Sequence, residues 1–347
     1  MSRAPGASRT RLRPRQLAAA IAFAVVAAVV GLAVGSVHVP ATAILSDVAW
    51  RLGLGGHQMN QLDSIIVWTL RAPRVVMGLL VGGTLAVAGG AYQGVFRNPL
   101  ADPYLLGIAA GAGLGATIAI AYANGATGAF DLLPLAAFAG AALAVVLAYL
   151  LGASAAGGRN PAALVLAGVT VVAFLTAIQT FIQQEHTQSL QVIYSWILGS
   201  LDVAGWHEVV LALPYVAVAS AVILLHRRLL DVLAVGDVVA ATLGVNVRRV
   251  RLTIVCFATV GTAAVVAVSG LIGFVGIIVP HFVRLAIGTS YRIVLPLSLL
   301  LGGAFLVLCD VLARTVVSPA ELPIGVVTAF FGAPFFAVVL RTSRSFR

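Results

Sequence analysis

The sequence predicts an all-α, polytopic membrane protein with about ten transmembrane helices, and three observations carry that prediction. Of its 347 residues, 61% are hydrophobic and only 9% charged, whereas about a quarter of a soluble domain is usually charged. The apolar residues gather into stretches of roughly 20, the length a helix needs to cross a hydrocarbon core of about 30 Å. The basic residues, finally, are sorted along the chain as a membrane topology sorts them.

In order, the spans fall at 16–37, 75–96, 105–123, 132–151, 162–182, 209–225, 252–269, 271–287, 294–313 and 324–340. The first follows an arginine-rich tail, 1–15, as the apolar core of a signal peptide would. It is too long for such a core and no A-x-A site follows near 35–39, so it is kept as a span, with cleavage as the alternative. The second carries Gly78-x-x-x-Gly82, the third Gly107-x-x-x-Gly111-x-Gly113-x-Gly115, and the ninth Gly302-Gly303. In lipid, helices pack by close backbone approach, so these mark seams, although overall glycine and alanine enrichment accounts for part of the pattern. Only a tight glycine turn at Ser269-Gly270 divides the seventh span from the eighth. A count of nine is the alternative there.

With the N-terminus inside, ten spans place 17 of the 21 basic residues in the cytosol and leave Arg51, Arg71, Arg74 and Arg314 outside. That bias favours the even count and puts both tails, 1–15 and 341–347, in the cytosol, with 16–340 as the transmembrane domain. All 21 basic residues are arginine, so no Walker A lysine exists and the chain cannot hydrolyse ATP by that means. The net charge of +10 does not indicate nucleic acid, because no basic, aromatic-interleaved soluble region presents it. Cys256 and Cys309 lie in apolar runs and read as small core residues, and no clustered ligand set predicts a metal or catalytic centre.

One polar interruption, 226–251, reads as folded. A short helix over 230–235 stops at Gly236, Asp237 suits the N-cap of a second over 238–243, and Gly244 suits a left-handed stop. Leu233, Val235, Val238, Val239 and Leu243 give the pair an apolar face too short to span a bilayer. Such a face is buried against a cytosolic partner or, alternatively, rests on the membrane surface.

Charge is scarce where an ion-coupled carrier would keep it. Glu185, Asp310 and Glu321 fall near outer span ends and His281 near an inner one. The span from 162 offers Thr176, Gln179, Thr180 and Gln183, all uncharged. A neutral midplane argues for a permease driven from outside the chain, and a secondary transporter would need a buried coupling carboxylate.

Four segments then resemble a known family: LRAPRVVMGLLVGGTLAVAGGAYQGVFRNPLADPYLLG (70–107), LDVLAVGDVVAATLGV (230–245), SGLIGFVGIIVPHFVR (269–284) and AELPIGVVTAFFGAPFF (320–336). They resemble, in order and spacing, the FecCD/BtuC-type permease subunits of binding-protein-dependent ABC importers for ferric siderophores, haem or cobalamin. The likeness runs from about Gln16 to Arg341.

The resemblance implies the type II importer architecture: a homodimer, or a pair with a paralogous permease, with two ATPase subunits below and a solute-binding protein above. ATP and Mg would sit on the ATPase, and this chain would bind no cofactor and perform no catalysis. It implies ATPase docking through Val232, Leu233, Val235, Gly236, Asp237, Val238, Val239, Leu243 and Gly244. It implies pairing of Arg71, Arg74 and Arg314 with binding-protein glutamates, for which membrane anchoring or an internal pair, for example with Asp63 or Glu321, is the alternative. Pro280, His281 and Arg284 would lie beside the ATPase contact as structural residues. The stretch Gly157, Gly158, Arg159, Asn160 and Pro161 would mark the cytoplasmic gate, although Asn160, Pro161 and Ala162 stand where related permeases carry small hydroxyl residues. The expected cargo is an iron–siderophore complex, with haem or cobalamin as the alternative.

Overall fold

The computed structural model describes residues 12–122, 129–156, 161–202 and 204–342. Fifteen α-helices follow one another: α1 (Pro14–Ala33), α2 (Ala41–Arg51), α3 (Gln61–Ser64), α4 (Ala72–Phe96), α5 (Ile108–Tyr122), α6 (Ala129–Ala156), α7 (Pro161–Glu185), α8 (Leu190–Ile197), α9 (Trp206–Leu225), α10 (Arg227–Val235), α11 (Asp237–Thr242), α12 (Val247–Ser269), α13 (Val275–Ala286), α14 (Tyr291–Ala313) and α15 (Ile324–Thr342). Seven stretches are long and apolar enough to cross a membrane, and the apolar helices α5, α13 and α15 bring the set to ten.

Three of the expected spans differ from their sequence pattern. The second is longer, because α3, a π-helical stretch Ile65–Arg71 and α4 run on without a break from Gln61 to Phe96. The third begins as a single 3-10 turn, Pro103–Leu106, and bends at Gly107, whose φ of 86° suits a residue without a Cβ, before α5 starts. The eighth is 12 residues, about 18 Å of helix, because 270–274 is non-helical rather than a tight turn between two full spans. Hydropathy counts apolar side chains and cannot see where the backbone stops coiling. Cys256, expected in the core, is exposed on α12.

α4 is the centre of the bundle, packed against α14, α12, α13 and α9, and almost every residue from Ala72 to Val95 is buried. Its glycines explain how. A Cβ on Gly82 would run into the Gly302 carbonyl of α14, and one on Gly89 into the Gly276 carbonyl of α13. α5 and α6 meet in the same way through Gly111 and Gly140. Helix axes approach this closely only where small residues face each other.

Breaks within the bundle are closed by one another. Ser200 donates its N–H to the Ser269 carbonyl (2.9 Å), Ile324 to Gly199 (3.2 Å) and Gly325 to Leu198 (3.1 Å). The Tyr104 hydroxyl donates to the Ile272 carbonyl (3.1 Å) and accepts the Ile272 N–H (3.2 Å). Non-helical backbone within a membrane protein is tolerated where protein satisfies it in this way.

At the opposite end from α10, the segment holding α2 and α3 folds over the bundle around one fully buried carboxylate. Asp47 accepts from the Met59 N–H (2.8 Å), Arg51 Nε (2.7 Å) and Trp68 Nε1 (2.8 Å). Burial opposes its charged form, but the Met59, Arg51 and Trp68 hydrogen bonds outweigh it and hold the carboxyl below its ordinary value.

Asp47→Asn is therefore expected to loosen this segment by about 1–3 kcal/mol, since the new amide donors face Arg51 and Trp68. Amide hydrogen exchange should accelerate over 41–60 and stay unchanged in α4. The depressed carboxyl also fixes a sign: its stabilisation is present above about pH 3.9 and drains away as pH falls through the lower folded value. Protection in the native segment should decline in that acid range and stay flat in the variant. Equal protection in both proteins throughout would rule out Asp47 as the anchor.

Candidate functional site

At the α2 end, the three arginines expected to face outward are all tied inward. Arg71 is 6% exposed, and its guanidinium donates to the carbonyls of Leu32 (2.8 Å), Ala33 (3.1 Å) and Val37, closing the end of α1. Arg314, also 6% exposed, donates to the Gly31 carbonyl (2.6 Å) and pairs with Asp310 (3.4 Å). Arg74 donates Nε to Asp310 (2.9 Å) and grips Glu321 with both terminal nitrogens, at 3.2 and 2.8 Å. Of the two internal pairs weighed from the sequence, the one with Glu321 forms. Two of the three carboxylates that the sequence placed near outer span ends, Asp310 and Glu321, sit in this cluster.

The α10 end holds the paired short helices. α10 starts three residues earlier than the pattern suggests, and Leu233, expected on the free face, is packed in the core with Leu230. Leu230 lies against Gly94 of α4, where a Cβ would meet it at 2.8 Å. Gly236, at φ 130°, makes the joint, and Gly244, at φ 78°, ends α11. Val232 is half-buried, whereas Val235, Val238, Val239 and Leu243 are exposed. Asp237 is not the N-cap. It is the first residue of α11, and its carboxylate pairs with Arg97 (3.3 Å) and Arg251 (3.2 Å).

A second carboxylate, which the sequence reading missed, fastens α10 to α14. Asp231 accepts from the Ser290 hydroxyl (2.7 Å) and the Tyr291 N–H (2.6 Å) and pairs with Arg292 (3.2 Å). A negative group suits the first turn of α14. No local signal marks Asp231, because its partners lie some 60 residues on.

Pro280 is buried in α13 against Gly90 of α4. His281 meets the Phe335 ring edge-on at 5.9 Å. Arg284 donates to the Gln93 side-chain carbonyl, and Gln93 in turn donates to the Gly276 carbonyl (3.1 Å), so α13 and α4 are cross-tied near this end. Among the described residues no group of three or more His, Cys, Asp or Glu could hold a metal. Gly157, Gly158, Arg159 and Asn160 lie outside the described residues, and Pro161 is the first residue of α7.

α7 has an unusual free face. Leu166, Val169, Thr170, Ala173, Thr176, Ala177, Thr180 and Gln184 are exposed along one strip, with Phe174 and Phe181 along one edge. The large exposed residues of α6 (Leu132, Leu135, Leu143, Val146, Leu150) and of α9 (Val210, Leu211, Leu213, Val218) are apolar, as lipid-facing residues are. Gln179 turns inward toward Gly113 of α5.

Comparison with known proteins places this geometry. A family described as the FecCD transport family matches residues 22–342. An uncharacterized ABC transporter permease protein, YvrB, of Bacillus subtilis is 38% identical over 340 residues, covering 96% of each chain. The hemin transport system permease protein HmuU of Yersinia pestis is 35% identical over 341 residues, 97% of this chain and 98% of that one. The cobalamin import system permease protein BtuC of Halobacterium salinarum is 40% identical over 278 residues, 80% of this chain and 73% of that one. A solved structure described as an inward-facing, metal-chelate type ABC transporter superposes with a TM-score of 0.83 at 27% identity, over 95% of this chain and all of that one.

Asp231 provides the test of the α10 clamp. Asp231→Ala should raise amide exchange through 227–243 and leave α15 unaffected, while Asp231→Asn, which keeps an acceptor for the Tyr291 N–H, should recover most of the protection. If exchange in α10 is the same in all three proteins, the carboxylate does not hold the loop.

Proposed function

Because the chain belongs to the FecCD transport family, as a permease subunit of a metal-chelate, siderophore, haem or cobalamin type ABC importer, we propose that it carries an iron–siderophore complex into the cytosol. ATP hydrolysis in this family belongs to a separate subunit, and the chain is a multi-pass membrane permease rather than an enzyme. The observation that supports the cargo is the α7 strip. It is free of charge and mixes hydroxyl, amide and methyl groups with the exposed Leu166 and Val169, with phenyl rings along one edge, a neutral wall suited to a bulky chelate whose metal charge is masked by its own ligand shell. Thr170 and Thr180 spend their hydroxyl hydrogens on the carbonyls of Leu166 (3.0 Å) and Thr176 (2.9 Å), leaving acceptor lone pairs toward the strip.

In this reading two copies, or one copy with a paralogous permease, face each other across that wall. The arginine distribution supports an orientation with the α10 end and both tails in the cytosol and the α2 end outside. Val235, Val238, Val239 and Leu243 are the surface that an ATPase subunit covers, with Asp231 and Asp237 fastening that surface to α14, α4 and α12. On the outer face the solute-binding protein meets Arg74, while Arg71 and Arg314 brace the helix ends behind it.

Uptake by the complete importer in proteoliposomes checks the cargo: ferric siderophore should accumulate with ATP, and haem and cobalamin should not. Accumulation of haem or cobalamin alone would reject the siderophore assignment. For the ATPase contact, Val238→Asp is expected to abolish co-purification of the ATPase subunit, because it buries an unpaired charge in the interface, with membrane insertion and thermal stability intact. An ATPase that still co-purifies in full would show that this face is not the contact.

A further inference from the structure

The outer arginine cluster has one member that is built differently from the others. Asp310 is 2% exposed and sits between Arg74 and Arg314, a fixed counter-ion. Arg74 itself is 12% exposed, and its remaining donors go to Glu321, whose side chain is 41% exposed and accepts from both terminal nitrogens of the guanidinium. An ion pair with one partner open to water is held loosely, whereas a buried pair is costly to break because a bare charge remains. Glu321 can therefore leave while Asp310 stays. Arg71 and Arg314 lack this freedom, since their guanidinium groups are turned onto backbone carbonyls of the α1 end.

The position of Glu321 in the chain gives its release a consequence. It lies in the connection between α14 and α15, next to Leu322, whose N–H donates to the Ala313 carbonyl (2.8 Å). Three residues on, Ile324 starts α15 and bonds to Gly199 at the buried junction of helix breaks. The only side-chain hydrogen bonds or ion pair between this connection and α4, among the described residues, are those of Glu321 with Arg74.

We propose that Glu321 is a displaceable internal counter-ion: a carboxylate on the docking partner takes its place on Arg74, and the freed connection carries docking to α15. The inference rests on the outer face being the docking surface for the solute-binding protein. Exchange of one carboxylate for another never leaves Arg74 unpaired, so the fork stays extended and oriented before the partner arrives. The arrangement gives up some affinity, since the partner must compete with Glu321. It gains selectivity, because a weak anion does not win that competition whereas a carboxylate already positioned by the rest of an interface does.

The test compares wild type, Glu321→Gln and Arg74→Gln, each in nanodiscs with the ATPase subunits, for binding of the importer's own solute-binding protein. Gln at 321 keeps an acceptor for Arg74, and Asp310 keeps the buried pair, so the fold should hold. Glu321→Gln should dock about five-fold more tightly than wild type at low salt, the size expected for loss of one exposed competing ion pair. The gain should shrink as salt rises. Arg74→Gln should dock more weakly. Without any partner, amide exchange over 314–323 should be faster in Glu321→Gln than in wild type, and docking should move wild type toward the variant. If Arg74→Gln docks like wild type, the docking surface lies elsewhere. If Arg74→Gln weakens docking while Glu321→Gln leaves affinity and exchange over 314–323 unchanged, the docking surface stands and the counter-ion role is overturned.

Discussion

A bilayer offers an unpaired backbone N–H or C=O no second partner, and the junction of residues 198–200, 269–275 and 322–325 meets that constraint with contacts among the breaks themselves. Ser200 closes on Ser269, and Ile324 and Gly325 close on Gly199 and Leu198. The Tyr104 hydroxyl takes both backbone groups of Ile272. Much of the architecture follows. α13 can be short because the Tyr104 hydroxyl anchors the non-helical stretch before it, and it reaches α4 because Gly89 and Gly276 let the two backbones touch. α15 begins where it does because its first amides have acceptors waiting on the α8 side of the junction.

Hydropathy and arginine placement made the membrane class and the ten apolar segments legible, since both are set by side-chain composition over windows of about 20 residues. The glycine seams were legible for a related reason: Gly82 and Gly302 are visible as spaced small residues, and the structure pairs them across α4 and α14. What lay beyond reach is long-range pairing. Asp231 and Gln93 carry no local signature, and Asp47 shows only its i, i+4 pair with Arg51, because Trp68, Tyr291 and Arg284 are brought to them only by the fold. The inward turn of Arg71 and Arg314 is of the same kind. Their charge and topology pointed outward, but the carbonyls ending α1 need donors, and a guanidinium with five N–H groups supplies them best. Leu233 was misplaced for a geometric reason: α10 begins at Arg227, so its helical phase turns that side chain inward beside Leu230.

Polar contacts at the two ends converge on one helix. α4 carries Arg74 in its first turn, in the cluster with Asp310 and Glu321, and Arg97 just past its last, on Asp237 of α11. Gln93 ties it to α13 one turn earlier. Between these ends α4 is buried on nearly every side and carries no charged residue from Val75 to Phe96. The helix thus works as a strut whose handles are ionic and whose shaft is apolar.

That division bears on how such a permease can move. A strut seamed to α14, α13 and α12 through glycine contacts has little room to bend, since packed interiors shift as units rather than deform continuously. The α10–α11 surface is joined to α4 through Asp237 and Arg97 and to α14 through Asp231. An ion-coupled carrier needs a titrating group within the shaft to bias its two states. In α4, α12 and α14 the charged side chains stand near the helix ends instead, on the faces where a nucleotide-driven subunit and an extracytoplasmic protein would press. Placing charge at the handles lets partners be recognised by carboxylate and guanidinium chemistry while the moving core stays free of groups that would have to be desolvated at each cycle.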